Sequence, residues 1–122
     1  MSTSLGRWLR RLTAEDSAVE AAELSSEIKT SGCQAAVACG RGQQVSLIGR
    51  LRAVELRPTE AVATLVAELY DGTDAVQLIW LGRRSIPGVD PGRTVRARGR
   101  LAVKDGHKVL YNPDYQLMPA HV

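Results

Sequence analysis

Aromatic side chains are scarce in this sequence: they make up 4% of its 122 residues, and phenylalanine is absent. Domains that hold single-stranded nucleic acid by base stacking rely on exposed aromatic rings, each worth about 1–3 kcal/mol per base. With so few rings, stacking would give only modest affinity. Any nucleic-acid binding by this chain would therefore depend mainly on charge.

Cysteine is also rare, and its spacing does not suit a metal site. Cys33 and Cys39 have five residues between them, unlike the two-residue spacing of zinc ribbons and redox pairs. The only histidines, His107 and His121, are far from both cysteines in sequence. We expect no metal and no cofactor, and we expect both cysteines to be free thiols in buried or half-buried positions.

Long hydrophobic runs are missing, and no stretch is long enough to span a bilayer. Near the N-terminus, Arg7, Arg10 and Arg11 interrupt the only apolar patch, so a signal peptide is not expected. We therefore expect no membrane partner and a cytoplasmic location.

Recognisable catalytic motifs are missing too. The stretch GCQAAVACGRG, residues 32–42, lacks the Gly-Lys-Ser/Thr ending of a phosphate-binding P-loop. Neither histidine stands near a nucleophile in any motif, and the carboxylates are scattered over turns and helix faces. We therefore predict no catalytic residues and no enzymatic activity.

Charge, by contrast, is present in an uneven distribution. The formal net charge is +3, in a chain whose length fits one domain. Residues 1–43 balance five basic side chains with five acidic ones, whereas residues 44–122 carry eleven basic and eight acidic side chains. A basic segment beside a neutral one suggests a polyanionic partner.

Residues 1–43 are predicted to form a helical extension. Apolar residues recur at helical spacing from Leu5 to Leu12, with arginines on the other face, which predicts a short amphipathic helix. Thr13-Ala14-Glu15-Asp16 resembles the start of a second helix, which should end near Ser31-Gly32.

The predicted second helix carries one acidic stripe at positions i, i+4, i+7 and i+11, formed by Asp16, Glu20, Glu23 and Glu27. Two interpretations stay open for it. The stripe is either a solvated helix face or an internal mimic of the polyanion that lies near the arginines.

From Gln44 onwards the apolar period changes to two residues, which is typical of strands. Five strands are predicted, in the segments 44–56, 63–70, 75–81, 93–103 and 108–117. The turns DGTD and KDGH indicate hairpins.

The first strand should place Val45, Leu47, Leu51 and Ala53 on one face, and Gly49 within it suggests a bend or bulge. The last strand should end or bend at Pro113. A long bent first strand, with an irregular connection between the third and fourth strands, predicts an all-β, five-stranded OB-fold barrel. The barrel covers residues 44–118 and is followed by a tail, residues 119–122.

The fourth strand carries Arg96, Arg98 and Arg100 at alternate positions, here called the arginine row. Small and apolar residues lie between them, so the arginines should face outward. An OB barrel pairs the first strand with the fourth, which would place Arg50 and Arg52 beside the row. Neighbouring like charges destabilise a sheet, so an anionic ligand explains this arrangement better than a merely solvated face.

Aromatic residues offer few stacking positions. Tyr70 should point outward on the second strand and is the best stacking candidate. Trp80 shares the parity of core residues and is expected in the core, whereas the facing of Tyr111 and Tyr115, on either side of Pro113, stays open.

Residues 68–93, ELYDGTDAVQLIWLGRRSIPGVDPGR, and residues 109–117, VLYNPDYQL, resemble a family of small actinobacterial OB-fold proteins described as nucleic-acid binding. The resemblance covers nearly the whole chain, including RWLRRLTAED at residues 7–16. The hairpin and strand portion is also similar to the wedge domain of RecG-type branched-DNA helicases and to anticodon-binding OB domains. The family's hairpin commonly ends in glycine where this chain has Asp74, whose charge disfavours phosphate binding at that corner. The resemblance implies nucleic-acid binding and no catalytic residues.

These observations predict a protein that binds nucleic acid mainly through the phosphate backbone. Single-stranded DNA or RNA is favoured as the partner, and duplex stays open. The alternative is a protein-interaction module that uses the N-terminal amphipathic helix, with the barrel as scaffold. The candidate nucleic-acid-binding residues are Arg50, Arg52, Arg57, Tyr70, Arg83, Arg84, Arg96, Arg98, Arg100, Lys104 and Lys108.

Overall fold

The computed structural model describes the backbone of residues 3–58 and 62–119 and the side chains of residues 17–57 and 62–119. Its elements are helix α1 (Thr3–Ser31), a short 3-10 helix (Ala36–Ala38), and strands β1 (Gln44–Pro58), β2 (Ala63–Tyr70), β3 (Ala75–Leu81), β4 (Thr94–Lys104), β5 (His107–Tyr111) and β6 (Asp114–Leu117). Among the described helices, none is long and apolar enough to cross a membrane.

The N-terminal segment forms one continuous helix, so the prediction of two helices was wrong. Thr13 does not cap a new helix, because the chain from residue 7 to residue 31 contains no glycine or proline to interrupt the helix. The predicted end is confirmed at Ser31, and Gly32 follows with a positive φ of 74°. The side chains of Trp8, Leu9 and Asp16, and the tail beyond Pro119, lie outside the described residues.

The strands close into a barrel, which confirms the predicted OB fold. The sheet runs in the order β1-β2-β3-β5-β4-β6, and an added β1–β4 pairing completes the ring. β3 and β5 pair in parallel, whereas the other pairs are antiparallel. The predicted fifth strand is broken into β5 and β6 at Asn112 and Pro113, because Asn112 adopts a positive φ of 47° and proline has no N–H to donate.

β1 contains a bulge, but at Arg52 rather than at Gly49. Leu51 pairs with Leu69 and Ala53 pairs with Glu68, which leaves Arg52 as an extra residue. The bulge reverses the facing of the strand beyond it, so Ala53 is exposed and Val54 packs against the core. The prediction that Ala53 shares the face of Val45, Leu47 and Leu51 was therefore wrong.

The barrel is filled by aliphatic side chains from the strands, together with Trp80. Trp80 is buried as predicted, and its indole N–H donates to the Pro113 carbonyl at 3.2 Å. The connector between β3 and β4 forms no helix, but it inserts Ile86 and Val89 into the same core.

The β2–β3 hairpin is anchored by the buried carboxylate of Asp71. One oxygen accepts the Ala36 N–H at 2.7 Å, and the other accepts from the Thr73 N–H, the Thr73 hydroxyl and the Asp74 N–H. These bonds join the hairpin to the segment between α1 and β1. A buried carboxylate is tolerated here because both of its oxygens are satisfied.

Cys33 and Cys39 are free and buried. Burial raises the pKa of the Cys39 thiol above its usual value, and nearby Lys108 partly opposes that effect. Within the described side chains, no group of three or more His, Cys, Asp or Glu residues is arranged to hold a metal ion.

Candidate nucleic-acid interface

The arginine row lies on the outer face of β4, between β1 on one side and β6 on the other. β1 places Ile48 opposite Arg96 and Ser46 opposite Arg98. β6 places Gln116 opposite Arg96 and Asp114 opposite Arg98 on the other edge. In antiparallel pairs, directly opposite residues share a face, so polar groups from three strands surround the row.

A polar groove follows from this pairing. It has a volume of about 590 Å³ and is lined by Ser46, Arg96, Arg98, Asp114, Tyr115 and Gln116. A neighbouring depression of about 430 Å³ shares Arg98 and adds Gln34 and Gln44. Volumes of about 300–1,000 Å³ are usual for ligand sites in proteins. The groove is therefore large enough for a small polar ligand or a segment of an extended one.

The three arginines of the row differ in how firmly they are held. Arg96 is half-buried and donates to the Ser31 carbonyl at 2.8 Å, which joins β4 to the end of α1. Arg100 is exposed and donates to the Gly42 carbonyl at 2.8 Å. Arg98 keeps a side-chain exposure of 64%, and its distance to the Asp114 carboxylate is 3.9 Å. At that distance and exposure the ion pair is weak, so Arg98 is the member of the row best placed to meet a ligand.

Arg50 and Arg52 form a separate cluster with Tyr70 and Glu20. The Arg52 guanidinium carbon lies 3.6 Å from the centre of the Tyr70 ring, as in a cation–π contact. The Glu20 carboxylate on α1 lies 3.7 Å from Arg50 and 3.6 Å from Arg52. Tyr70 faces outward as predicted, but Arg52 covers its ring.

The β1–β4 register keeps these two arginines away from a side-by-side match with the row. Arg50 is opposite Thr94, and Arg52 lies beyond the ladder, whereas buried Ile48 is opposite Arg96. The expectation that Arg50 and Arg52 lie side by side with the row was therefore wrong. The Glu20 carboxylate offsets only part of the charge of these two arginines.

The remaining predicted residues are dispersed. Lys108 donates to the Ala36 carbonyl at 2.6 Å and pairs with Asp74 at 3.1 Å, so it holds the hairpin base. Arg57 pairs with Glu55 near the end of β1. Lys104 is exposed at the end of β4, and Arg83 and Arg84 are exposed in the connector after β3. The structure thus brings together the row in one place and Arg50, Arg52 and Tyr70 in another.

Two aromatic side chains that the sequence left open are exposed, Tyr111 and Tyr115. Tyr115 is opposite buried Ala97 of β4, so its ring lies on the face of β6 that points away from the arginine row, where it packs edge-on against Trp80 with ring centres 5.7 Å apart. Tyr111 pairs with Ile79 of β3, which belongs to an apolar cluster with Val66 and Val109. The ring of Tyr115 is therefore not placed beside the arginines for stacking.

Sequence reasoning missed the uncharged polar residues that line the groove, Ser46, Gln34, Gln44 and Gln116. Asp114 was also missed as the counter-charge of Arg98. The sequence carries no signal for them, because each is an ordinary polar residue until β1, β4 and β6 are in register. Glu20 was identified as part of the acidic stripe, but its two partners were not.

Comparison with known proteins supports the fold. No family model matches the chain, and no curated protein matches it. Among solved structures, the chain is similar to RecG in a structure of RecG bound to a three-way DNA junction. The similarity has a TM-score of 0.53 and 21% sequence identity, and it covers 66% of this chain but 11% of the RecG chain.

This likeness concerns architecture alone. It confirms the expected similarity to part of RecG at the level of fold, and the chain corresponds to only about a tenth of the length of that protein. The resemblance to a small actinobacterial family has no family match to support it. One fold serves many functions, so the function of this chain depends on its site residues and not on this likeness.

Proposed function

We propose that this chain is a non-catalytic nucleic-acid-binding protein that holds a phosphate backbone along the arginine row and its groove. The observation that carries the proposal is the exposed Arg98 side chain, flanked on the same strand by Arg96 and Arg100. Guanidinium groups bind phosphate through paired, charge-assisted hydrogen bonds. The likeness to part of a DNA-bound RecG chain is consistent with this function.

The composition of the groove favours a strand over an isolated anion. Arginines supply charge, while Ser46 and Gln116 supply uncharged donors and acceptors. OB folds bind oligonucleotides along a positively charged groove. We therefore favour single-stranded DNA or RNA, with affinity that depends strongly on salt.

The test is the salt dependence of binding to a labelled single-stranded oligonucleotide. In the double variant Arg98→Gln/Arg100→Gln, two charges are removed from the groove side of β4. Each phosphate contact contributes about 0.7 to the slope of log K against log salt for single strands. We expect the slope to flatten by about 1.4 units, again at about 0.7 per contact.

A charge-matched control separates a site from a general effect of net charge. Arg83→Gln/Arg84→Gln also removes two exposed arginines, but from the connector after β3. We expect a much smaller change of slope in this control. Equal slopes for the wild type and the β4 variant, with both proteins folded, would contradict the proposal. A protein complex that survives nuclease treatment would then favour the interaction-module alternative.

A further inference from the structure

Two arginines, one carboxylate and one aromatic ring meet beside the bulge of β1. The Arg50 and Arg52 side chains converge on one carboxylate, with Nη1 of Arg50 nearest one Glu20 oxygen and Nη2 of Arg52 nearest the other. The guanidinium carbon of Arg52 also lies 3.6 Å from the centre of the Tyr70 ring. Guanidinium groups donate to phosphate oxygens as they do to carboxylate oxygens, so an anion of either kind suits this pair of arginines.

The position of Arg52 depends on local backbone features. Leu51 is buried and Arg52 is exposed, so Arg52 keeps the outward facing of Arg50, and the bulge leaves it without a partner on β2. Gly49 lets the β1 backbone pass close to the Tyr70 carbonyl, where a Cβ would not fit. Arg52 and Tyr70 are therefore neighbours on the outer face of these two strands, where the guanidinium contacts the ring.

Helix α1 is held against the barrel near Glu20. Leu24, one turn further along the helix, is fully buried, and Ile28 packs with Ile48 of β1. At the hairpin, Gly72 lies so close to the helix that a Cβ would be 2.6 Å from the Ala21 carbonyl oxygen. This packing keeps the Glu20 carboxylate at the arginine pair without requiring the ion pairs to hold the helix.

The ion pairs themselves are weak. The side-chain exposures of Arg52 and Glu20 are 43% and 31%, and the nitrogen–oxygen distances exceed 3.5 Å. Ion pairs this exposed contribute little to stability. A ligand phosphate can therefore displace the carboxylate while the helix stays packed through Leu24.

From these contacts we propose that Arg50, Arg52 and Tyr70 form a second binding site for a nucleic-acid phosphate, which Glu20 occupies as an internal competitor. This inference rests on the proposed function, because it extends the same binding surface along β1. Arg50 pairs with Thr94, two residues before Arg96 on β4, so the two sites are neighbours on one barrel face. Ile48 and Thr94 lie between the two sites and are buried, so a strand that reaches both sites has to pass over the part of α1 that covers Ile48.

The experiment compares Glu20→Gln with Glu23→Gln in full-length protein, using a labelled single-stranded oligodeoxythymidylate at low salt. Both substitutions remove one negative charge from α1. Glu23 is exposed and has no ion pair with any side chain that the structure describes, so it reports the effect of net charge alone.

We expect Glu20→Gln to tighten binding by about 2–5-fold relative to Glu23→Gln, because exposed ion pairs such as those of Glu20 are weak competitors. The salt slope should steepen by about 0.7 units as one more phosphate contact replaces bound counterions. Adding Arg50→Gln and Arg52→Gln to the Glu20→Gln protein should remove the gain.

The outcomes separate this inference from the proposed function. If Arg98→Gln/Arg100→Gln weakens binding but Glu20→Gln behaves like Glu23→Gln, the second site is refuted and the proposed function stands. Binding that appears only in Glu20→Gln supports the second site. Absence of binding in both glutamate variants refutes the second site together with the proposed function.

Discussion

Gly49 offers a sharp test of how β1 is placed against β2. Its φ is not in the left-handed region, so conformation alone does not require glycine. The available space does require glycine, because a Cβ at this position would overlap the Tyr70 carbonyl oxygen and lie 2.8 Å from the Tyr70 carbonyl carbon. Real Cβ atoms essentially never approach other heavy atoms more closely than 3.0 Å.

The contacted atoms belong to backbone, so relief requires β1 and β2 to move apart. The neighbouring residue, Arg50, is paired with Tyr70, and such a shift would strain the ladder there. Inserting one extra carbon into a packed site typically costs about 1–3 kcal/mol. The reduced freedom of alanine in the unfolded chain returns about 0.4–1 kcal/mol. We expect Gly49→Ala to lower the free energy of unfolding by about 2 kcal/mol, near the upper end of that balance.

Gly99 is a matched control on the adjacent strand. It also lies inside a strand without a positive φ, but a Cβ there would be 3.6 Å from the nearest atom, on the Leu110 side chain. We therefore expect Gly99→Ala to leave stability unchanged or raise it by up to about 1 kcal/mol. Urea unfolding followed by circular dichroism measures both variants. If the two free energies of unfolding agree within about 0.5 kcal/mol, the close approach at Gly49 does not exist.

Two further predictions concern buried groups near the base of the hairpin. Asp71→Asn replaces one carboxylate oxygen by an N–H donor that would face another N–H donor. We therefore expect the free energy of unfolding, measured with denaturant, to fall by about 1–3 kcal/mol. An unchanged midpoint would show that the carboxylate does not hold the segment at Ala36. Burial raises the pKa of the Cys39 thiol, which reduces its thiolate fraction at a given pH. Iodoacetamide should therefore modify Cys39 more slowly in the folded protein than in the denatured protein, and the rate should increase as the pH rises. Equal rates in the two states would contradict the burial of this thiol.

Several features of the fold were predictable because their causes are local. Alternation of apolar residues marks strands wherever one face is buried, and it correctly placed Trp80 in the core. The turn at KDGH was predictable because Asp105 and Gly106 tolerate positive φ, at 52° and 78°. The break in the last strand followed from Pro113, which has no N–H to donate.

Local signals were insufficient where the chain departs from regular geometry. The bulge at Arg52 changes the facing of every later residue in β1, yet nothing in the residue type announces it. Thr13 is acceptable both as a helix cap and inside a helix, so the continuous α1 was not distinguishable from two helices. Such choices depend on the energy of the whole arrangement.

The sequence by itself determined the strand and turn order, the apolar core and the outward position of the arginine row, because alternation and turn chemistry act over a few residues. Only the tertiary structure decided which charges meet. Glu20 reaches Arg50 and Arg52 across a long separation in sequence, and Arg98 meets Asp114 only because β6 lies beside β4. Charge–charge interactions depend on distance in space, so the register of β1, β4 and β6 determines which arginines stay available to a ligand.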